Sequence, residues 1–339
     1  MLTIISFTLS VITACKQIEP IVGGYFLLLN DKETVSLNTY ENNEIQESEI
    51  FSISEKSIFT TDQKEKVAIL DTDKNIITLY EIQTSNETTL PIPYDIKPKT
   101  ILINGDNLFI GGEMGEEMLI QYHMLSDKWY QLEVPKEVNK WGKAIDDLVV
   151  SGNQLIAIDN VVLPKYILFF RLKNTTGKLA FSHFKELKYN SSNEEIFQGR
   201  ITPNYFGLRS SATYMFGHSE HITIYNSLNL KKSFAISTER ELLDEENVNT
   251  FNDFLIIDNK IVIASKEYGL GLFEIKNSYF TKGFTYDRKA NTSIDASEIT
   301  YKKSKNENII KLTQIPNTKK IVLTIENDST KIRNEFIDI

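Results

Sequence analysis

The pair Asp146-Asp147, in the stretch "NKWGKAIDD", holds the densest acid–base potential of the chain. Two carboxylates facing one substrate can divide the work of general acid and general base, as glycoside cleavage requires. Asp159 and Asp253 are further candidates for that work. Adjacent residues of an extended strand point to opposite faces, so at most one of Asp146 and Asp147 is expected to face a shared site. The stretch "GHSEH" brings His218, Ser219, Glu220 and His221 together. It approaches the G-x-S-x-G nucleophile turn, but His221 stands where the second glycine belongs, and no strand-to-helix context surrounds it. His218 and His221 with Glu220 offer metal donors but no third ligand on an identifiable element, so no metal is assigned. "DTDKN", residues 71–75, opens like a calcium loop. Ile76 and Ile82 occupy the places of its required glycine and glutamate, so it reads as the last hairpin of the first repeat unit. Phosphate-cradling loops, zincin helices and dinucleotide fingerprints are all missing. No catalytic residue, metal or cofactor is therefore assigned, and the motifs favour binding over catalysis.

Cys15 is the only cysteine. It excludes an intramolecular disulfide and a thiolate metal site. It closes an apolar run over residues 2–14, too short for a membrane-spanning helix and of the length of a secretory signal. Ile12, Thr13 and Ala14 precede it, and this aliphatic–small–small–Cys order resembles the bacterial lipobox. The resemblance implies cleavage before Cys15, a diacylglycerol on its sulfur, and a chain held at a membrane through lipid alone. The reading divides the chain into a signal peptide (1–14), a lipidated terminus and tether (15–22), and one domain (23–339).

The chain is 41% hydrophobic and 24% charged, a globular balance. Phe and Tyr are plentiful, with 19 and 15 copies, and they favour strands. The net charge of −9 disfavours nucleic acid and anionic membrane surfaces and suits a cationic partner. No long segment has a helical period.

One pattern recurs about every 50 residues: strand, tight polar turn, strand. It appears as "ILINGDNLFIGG" turning at Asp106-Asn107, "LVVSGNQLIAID" at Asn153 and "FLIIDNKIVIAS" at Asp258-Asn259. Weaker copies turn at Glu55-Lys56, Ser210-Ser211 and Asn317. Asn, Asp and Gly at such tips accept the positive φ of hairpin turns. After most hairpins come two further strands, as "MLIQYHM" and "WYQLEV" follow "NLFIGG", and "LGLFEI" and "YFTKGF" follow "IVIAS". Four antiparallel strands repeated at this period predict an all-β propeller, with six blades favoured over seven. The stretch "YFLLLND…TVSLN" is expected to supply the missing outer strand of the last blade and join the chain ends. "VIASKEYGLGLFEI" resembles the repeats of bacterial propellers of the LVIVD type, which implies architecture and no activity.

In such blades the connections from second to third strand, and from one blade to the next, share one face. Glu113 and Glu116, then Asp159, Val162, Leu163, Lys165 and Tyr166, then Glu267 and Tyr268 fall in the first kind. Trp141, Asp146, Asp147, Arg200 and Asp253 fall in the second. An acidic rim with aromatic anchors is the composition of a protein-binding patch, and the apolar run at Val162-Leu163 needs a partner if exposed. The expectation is a monomeric, lipid-anchored binding protein of the bacterial envelope, at the outer membrane. It would recognise a cationic protein, as an immunity protein holds a toxin. The alternatives are an envelope glycan hydrolase or lyase using Asp147, Asp159 or Asp253, and a structural part of an outer-membrane complex.

Overall fold

The structure is a computed structural model. It describes residues 24–42, 44–113, 118–134, 144–151, 154–159, 165–172, 178–187, 194–214, 217–227, 229–241, 251–266, 268–282, 293–302, 307–327 and 331–339. Sheets form one after another along the chain. The first holds β1 (Phe26–Leu29), β2 (Thr34–Glu41) and β3 (Glu44–Ser52). The second is β4 (Ser57–Thr61), β5 (Lys66–Asp71), β6 (Ile76–Glu81) and β7 (Asn86–Pro91). The third is β8 (Lys97–Asn104), β9 (Asn107–Glu113), β10 (Leu119–His123) and β11 (Lys128–Gln131). The fourth is β12 (Ile145–Ser151), β13 (Gln154–Asp159), β14 (Lys165–Leu172) and β15 (Leu179–Leu187). The fifth is β16 (Glu194–Ile201), β17 (Tyr205–Tyr214), β18 (Gly217–Asn226) and β19 (Asn229–Glu241).

The sixth sheet begins with β20 (Phe251–Ile257), β21 (Lys260–Ser265) and β22 (Gly269–Glu274). The chain then leaves it. β23 (Thr281–Lys282) and β24 (Ser293–Asp295) pair with β19 of the fifth sheet, β24 in parallel, before β25 (Thr300–Tyr301) returns to β22. The seventh sheet is β26 (Asn308–Gln314), β27 (Lys320–Asn327) and β28 (Lys331–Asp338).

The second strands are nearly continuous apolar runs because both their faces are covered. Val67 and Ile69 of β5 pack with Leu27, Val35 and Leu37 of the first sheet. Ala68 and Leu70, the residues between, pack with Ile101 and Leu108 of the third. The same division by odd and even positions repeats in β13, where Leu155 and Ala157 face the third sheet and Ile156 and Ile158 the fifth. In β21, Ile261 and Ile263 face the fifth sheet and Val262 and Ala264 the seventh. The last interface joins the chain ends: Phe26, Leu28 and Tyr40 pack with Ile315 and Val322. Seven sheets and seven such interfaces make a seven-bladed propeller.

Six blades were expected, and the seventh comes from residues 26–52. That stretch has its own turn, where the Asp31 carboxylate accepts the Glu33 N–H at 2.8 Å, and so builds a sheet of its own. β1 therefore pairs with β2 alone, and no described N-terminal strand enters the last sheet. The ends meet through side chains instead, with the Asn334 amide donating to the Leu29 carbonyl at 3.1 Å and Tyr40 against Phe336. Strand direction reverses at each connection, so β1 runs opposite to β4. Its start lies beside the turns that follow β4 and β26: the Tyr25 N–H donates to Gln63, and Gly24 abuts Pro316.

Other expected hairpins also change place. Glu55-Lys56 links β3 to β4, two strands of different sheets. Ser210-Ser211 lies inside β17, which runs straight through because its neighbours β16 and β18 supply unbroken ladders on both sides. Residues 71–75 turn from β5 to β6 in the second sheet, where Asp71 accepts the N–H groups of Asp73 and Lys74. Thr281-Lys282 of "YFTKGF" joins the fifth sheet and not the sixth, because Phe280 stacks on Tyr205 and meets Phe234 edge-on.

Two glycines separate steric from conformational demand. A Cβ on Gly112 would stand 2.2 Å from the Lys97 carbonyl oxygen of the paired strand, whereas one on Gly105 meets nothing but has φ +58°. Gly112→Ala is expected to destabilise by about 3 kcal/mol and Gly105→Ala by only about 1–2 kcal/mol, as read from urea-unfolding midpoints.

Candidate functional site

The first strands of the second to seventh blades line the channel, and from the third blade to the seventh each carries a bulge near its start. The register slips between Pro98 and Thr100, Ile145 and Asp147, Ile196 and Gln198, Phe251 and Asp253, and Ile309 and Lys311. A bulge sets two residues against one and breaks the alternation of side chains. Asp146 and Asp147 were expected to diverge to opposite faces. The bulge lets both reach across to neighbouring blades, one backward and one forward.

Asp146 reaches back. Its Oδ1 lies 2.8 Å from Lys99 Nζ, which also contacts Glu113 Oε1 at 2.5 Å. Burial pulls the Lys99 ammonium down, but Asp146 and Glu113 outweigh that and hold it above the usual lysine range. The cation neutralises two carboxylates of the expected acidic rim.

Asp147 reaches forward. Its Oδ2 accepts the Gly199 N–H at 2.6 Å and its Oδ1 the Leu148 N–H at 2.9 Å. Asp253 repeats this geometry two blades on, with Oδ2 accepting the Leu312 N–H at 2.8 Å and Oδ1 the Phe254 N–H at 2.7 Å. Gly199 and Leu312 occupy the same place in their strands, one residue after the slip. Asp253 Oδ1 also accepts from Gln198 Nε2 at 2.7 Å and Arg200 Nη2 at 3.0 Å. Arg200 donates further to the carbonyls of Phe254 and Gly199. Glu220 and Arg209 bind the backbone at the head of β20: Glu220 Oε2 accepts the Phe251 N–H at 2.7 Å, and Arg209 Nη1 donates to the Phe251 and Asn252 carbonyls. Asn252 Nδ2 donates on to Asn308 and Ile309 of the seventh blade.

Burial is the largest influence on two of these groups, Asp147 and Arg209. It pushes the Asp147 carboxyl up to about 6, against the opposing pull of Arg200 and the two N–H donors. It pulls the Arg209 guanidinium down, with Asp253 and Glu220 opposing. Among the described residues no three His, Cys, Asp or Glu side chains stand together as a metal site.

The structure thus gathers Glu113 with Asp146, and Asp147 with Arg200 and Asp253. Arg200, Asp146, Asp147 and Asp253 sit in strands and not in the expected loops, because the first strands of their blades run through those positions. His218 to His221 likewise lie in β18, whose register with β17 and β19 runs through them. Asp159 is fully buried at the end of β13. Tyr268 is stacked on Tyr301 with ring centroids 5.2 Å apart, so it packs within the sixth blade. Lys165 and Tyr166 open β14, with Tyr166 in register with Asp159. Cys15, Glu116, Trp141, Val162, Leu163 and Glu267 lie outside the described residues. The sequence reading missed Lys99, Gln198, Arg209, Asn252 and Lys311. For all but Arg209 the signal is a repeated quartet at the bulge, "PKTI", "IDDL", "IFQG", "FNDF" and "IIKL", with a polar third residue in all five.

No protein-family model and no curated protein matches the chain. Solved structures share its fold. The Cps50 (Swd1) β-propeller domain of Myceliophteria thermophila is 9% identical, with 94% of this chain and 97% of that one covered, at a TM-score of 0.57. The dihydro-heme d1 dehydrogenase NirN, in complex with DHE, is 7% identical over 95% of this chain and 74% of that one, at 0.56. Sqt1 of Saccharomyces cerevisiae is 10% identical over 94% and 82%, at 0.54. Likeness at such identity establishes the propeller and nothing about activity.

Asp147 gives a pH signature. Its folded value of about 6 exceeds the unfolded value of about 3.9, so its contribution to stability is fully present below about pH 4 and lost as pH rises through 6. The loss is at most about 3 kcal/mol, reduced where channel water screens the group. Asp147→Asn abolishes this contribution. Wild-type stability relative to Asp147→Asn should therefore fall between pH 4 and pH 7, as measured by urea unfolding at each pH.

Proposed function

We propose that this chain is a lipid-anchored binding protein of the bacterial envelope, which grips a partner protein at one rim of its propeller. The observation that carries this reading is the occupation of the carboxylates best suited to chemistry. Both oxygens of Asp147 and both of Asp253 accept hydrogen bonds from the next blade or its own strand, and Asp159 is fully buried. A glycosidase needs a carboxylic acid and a carboxylate open to the substrate. These groups instead join blades, which supports binding over turnover and leaves the envelope hydrolase as the weaker reading.

The rim in question carries the connections between blades and those from second to third strands. The opposite rim carries turns as tight as Gly105-Asp106 and Asp258-Asn259. Loops on a rigid scaffold are where recognition concentrates. Glu116, Trp141, Val162, Leu163, Tyr166 and Glu267 would supply the anchors and acid there, complementary to a cationic protein such as a toxin domain held by its immunity protein. Cys15 would carry the lipid.

Two measurements test the proposal. Cys15→Ala should abolish incorporation of labelled palmitate and move the protein from the membrane to the soluble fraction. Tagged wild-type protein should capture a basic partner from envelope extract, with binding weakened at least about tenfold in Trp141→Ala/Tyr166→Ala, the loss typical of aromatic anchors. Capture of nothing, or capture indifferent to both substitutions, would sink the rim as the binding site.

A further inference from the structure

Lys311 is the one channel cation of the described residues that the inter-blade network does not use. It follows the bulge of β26, and its Nζ lies 4.6 Å from the centroid of the Phe59 ring of β4, two blades away around the ring. No ion pair to a described carboxylate holds it. The charged groups that act on it are Asp253 and Arg200. Asp253 is already engaged with Arg200, Gln198 and the Leu312 N–H, and Arg200 repels a second cation. On the same side of β26, two residues on, Thr313 Oγ1 is sealed from solvent and has no hydrogen-bond partner among the described residues.

From this arrangement we propose that Lys311 is a nucleophilic amine of the channel, which captures a small aldehyde or ketone as an imine. A buried amine beside a cation and without its own carboxylate gives up its proton more readily than a solvated lysine. Burial accordingly pulls the Lys311 ammonium below the usual lysine range. The Nζ lone pair attacks the carbonyl carbon as the C=O π pair moves to oxygen. Proton transfer from nitrogen to oxygen gives a carbinolamine, and loss of water leaves the C=N bond, with no oxidant or reductant required. The Thr313 hydroxyl is the donor available to the carbonyl oxygen. Phe59 favours a ligand with an apolar body.

The probe is pyridoxal 5′-phosphate at pH 7, trapped with borohydride and mapped by peptide mass spectrometry on the intact chain. Exposed Lys56 and Lys74 are internal standards, since Asp73 and Asp71 hold their ammonium groups above the usual range. Lys311 should be labelled at least tenfold faster than either. Thr313→Val should slow that labelling several-fold, and Lys311→Arg should remove it while leaving Lys56 and Lys74 unchanged. Labelling of Lys311 no faster than Lys56, or none at all, overturns the proposal without touching the rim reading. Protection of Lys311 by inorganic phosphate without preferential labelling would mark a charged lysine holding an anion, and would overturn it equally.

Discussion

Every second strand of this chain must bury both of its faces, and most of the structure follows from that demand. A half-buried strand needs one partner layer, whereas a strand apolar at odd and even positions alike needs two. Consecutive sheets meet the demand if each packs between its neighbours, and the last sheet is covered only if it meets the first. A ring is the arrangement with no uncovered member. Buried polar positions are tolerated where they too bridge sheets. Gln121, fully buried in β10, donates to Asn107 at 2.6 Å and accepts the Leu179 N–H of the fourth blade at 2.9 Å. Closure by packing also explains why no strand needs to be shared between the chain ends, where Phe26, Leu28 and Val322 continue the same alternation.

A ring of twisted sheets leaves a channel, and alternation alone would place single side chains there at every second position. The bulges change this. By setting two residues against one they let neighbouring side chains act in different directions, so Asp146 reaches the blade before and Asp147 the blade after. Removing one member of such a buried set strands the others, typically at about 3–5 kcal/mol, although the set as a whole adds little net stability. The gain is in register. The aspartates at 147 and 253 read the backbone N–H one residue past the slip in the following blade, so a blade shifted by one residue would lose the contact.

What the sequence disclosed and what it hid divide along the same line. Hairpins whose tips require positive φ were legible: Gly105, Asp258 and Asn317 all have it, at +58°, +53° and +59°. Polar pairs without that requirement misled, since Glu55-Lys56 links two sheets and Ser210-Ser211 continues one strand. The seventh blade was hidden because residues 26–52 lack a Gly or Asn-Gly tip and resemble a stray closing strand. The candidate residues at 146, 147, 200 and 253 were legible as charged positions near blade starts. Their pairing was not, because the partners lie one repeat apart: Asp147 and Gly199 are 52 positions from each other, and Asp253 and Leu312 are 59. No local pattern displays a contact at that distance; only the repeated quartet hints at it.

The chemistry of the molecule then separates by depth. At the blade starts, charge is engaged: Lys99 is shared by two carboxylates, and Arg200 by a carboxylate and two carbonyls. Groups held this way cannot shift toward a substrate without loosening two blades at once, so they make poor catalysts and good struts. The connections beyond the strand ends can vary without disturbing the ring, and the proposed recognition would lie there. Lys311 breaks this division because its place in the quartet is that of an aspartate. Where Asp147 and Asp253 accept an N–H from the blade ahead, a lysine has nothing to accept with. The position that elsewhere locks neighbouring blades together therefore carries an amine, whose Nζ lies over the Phe59 ring.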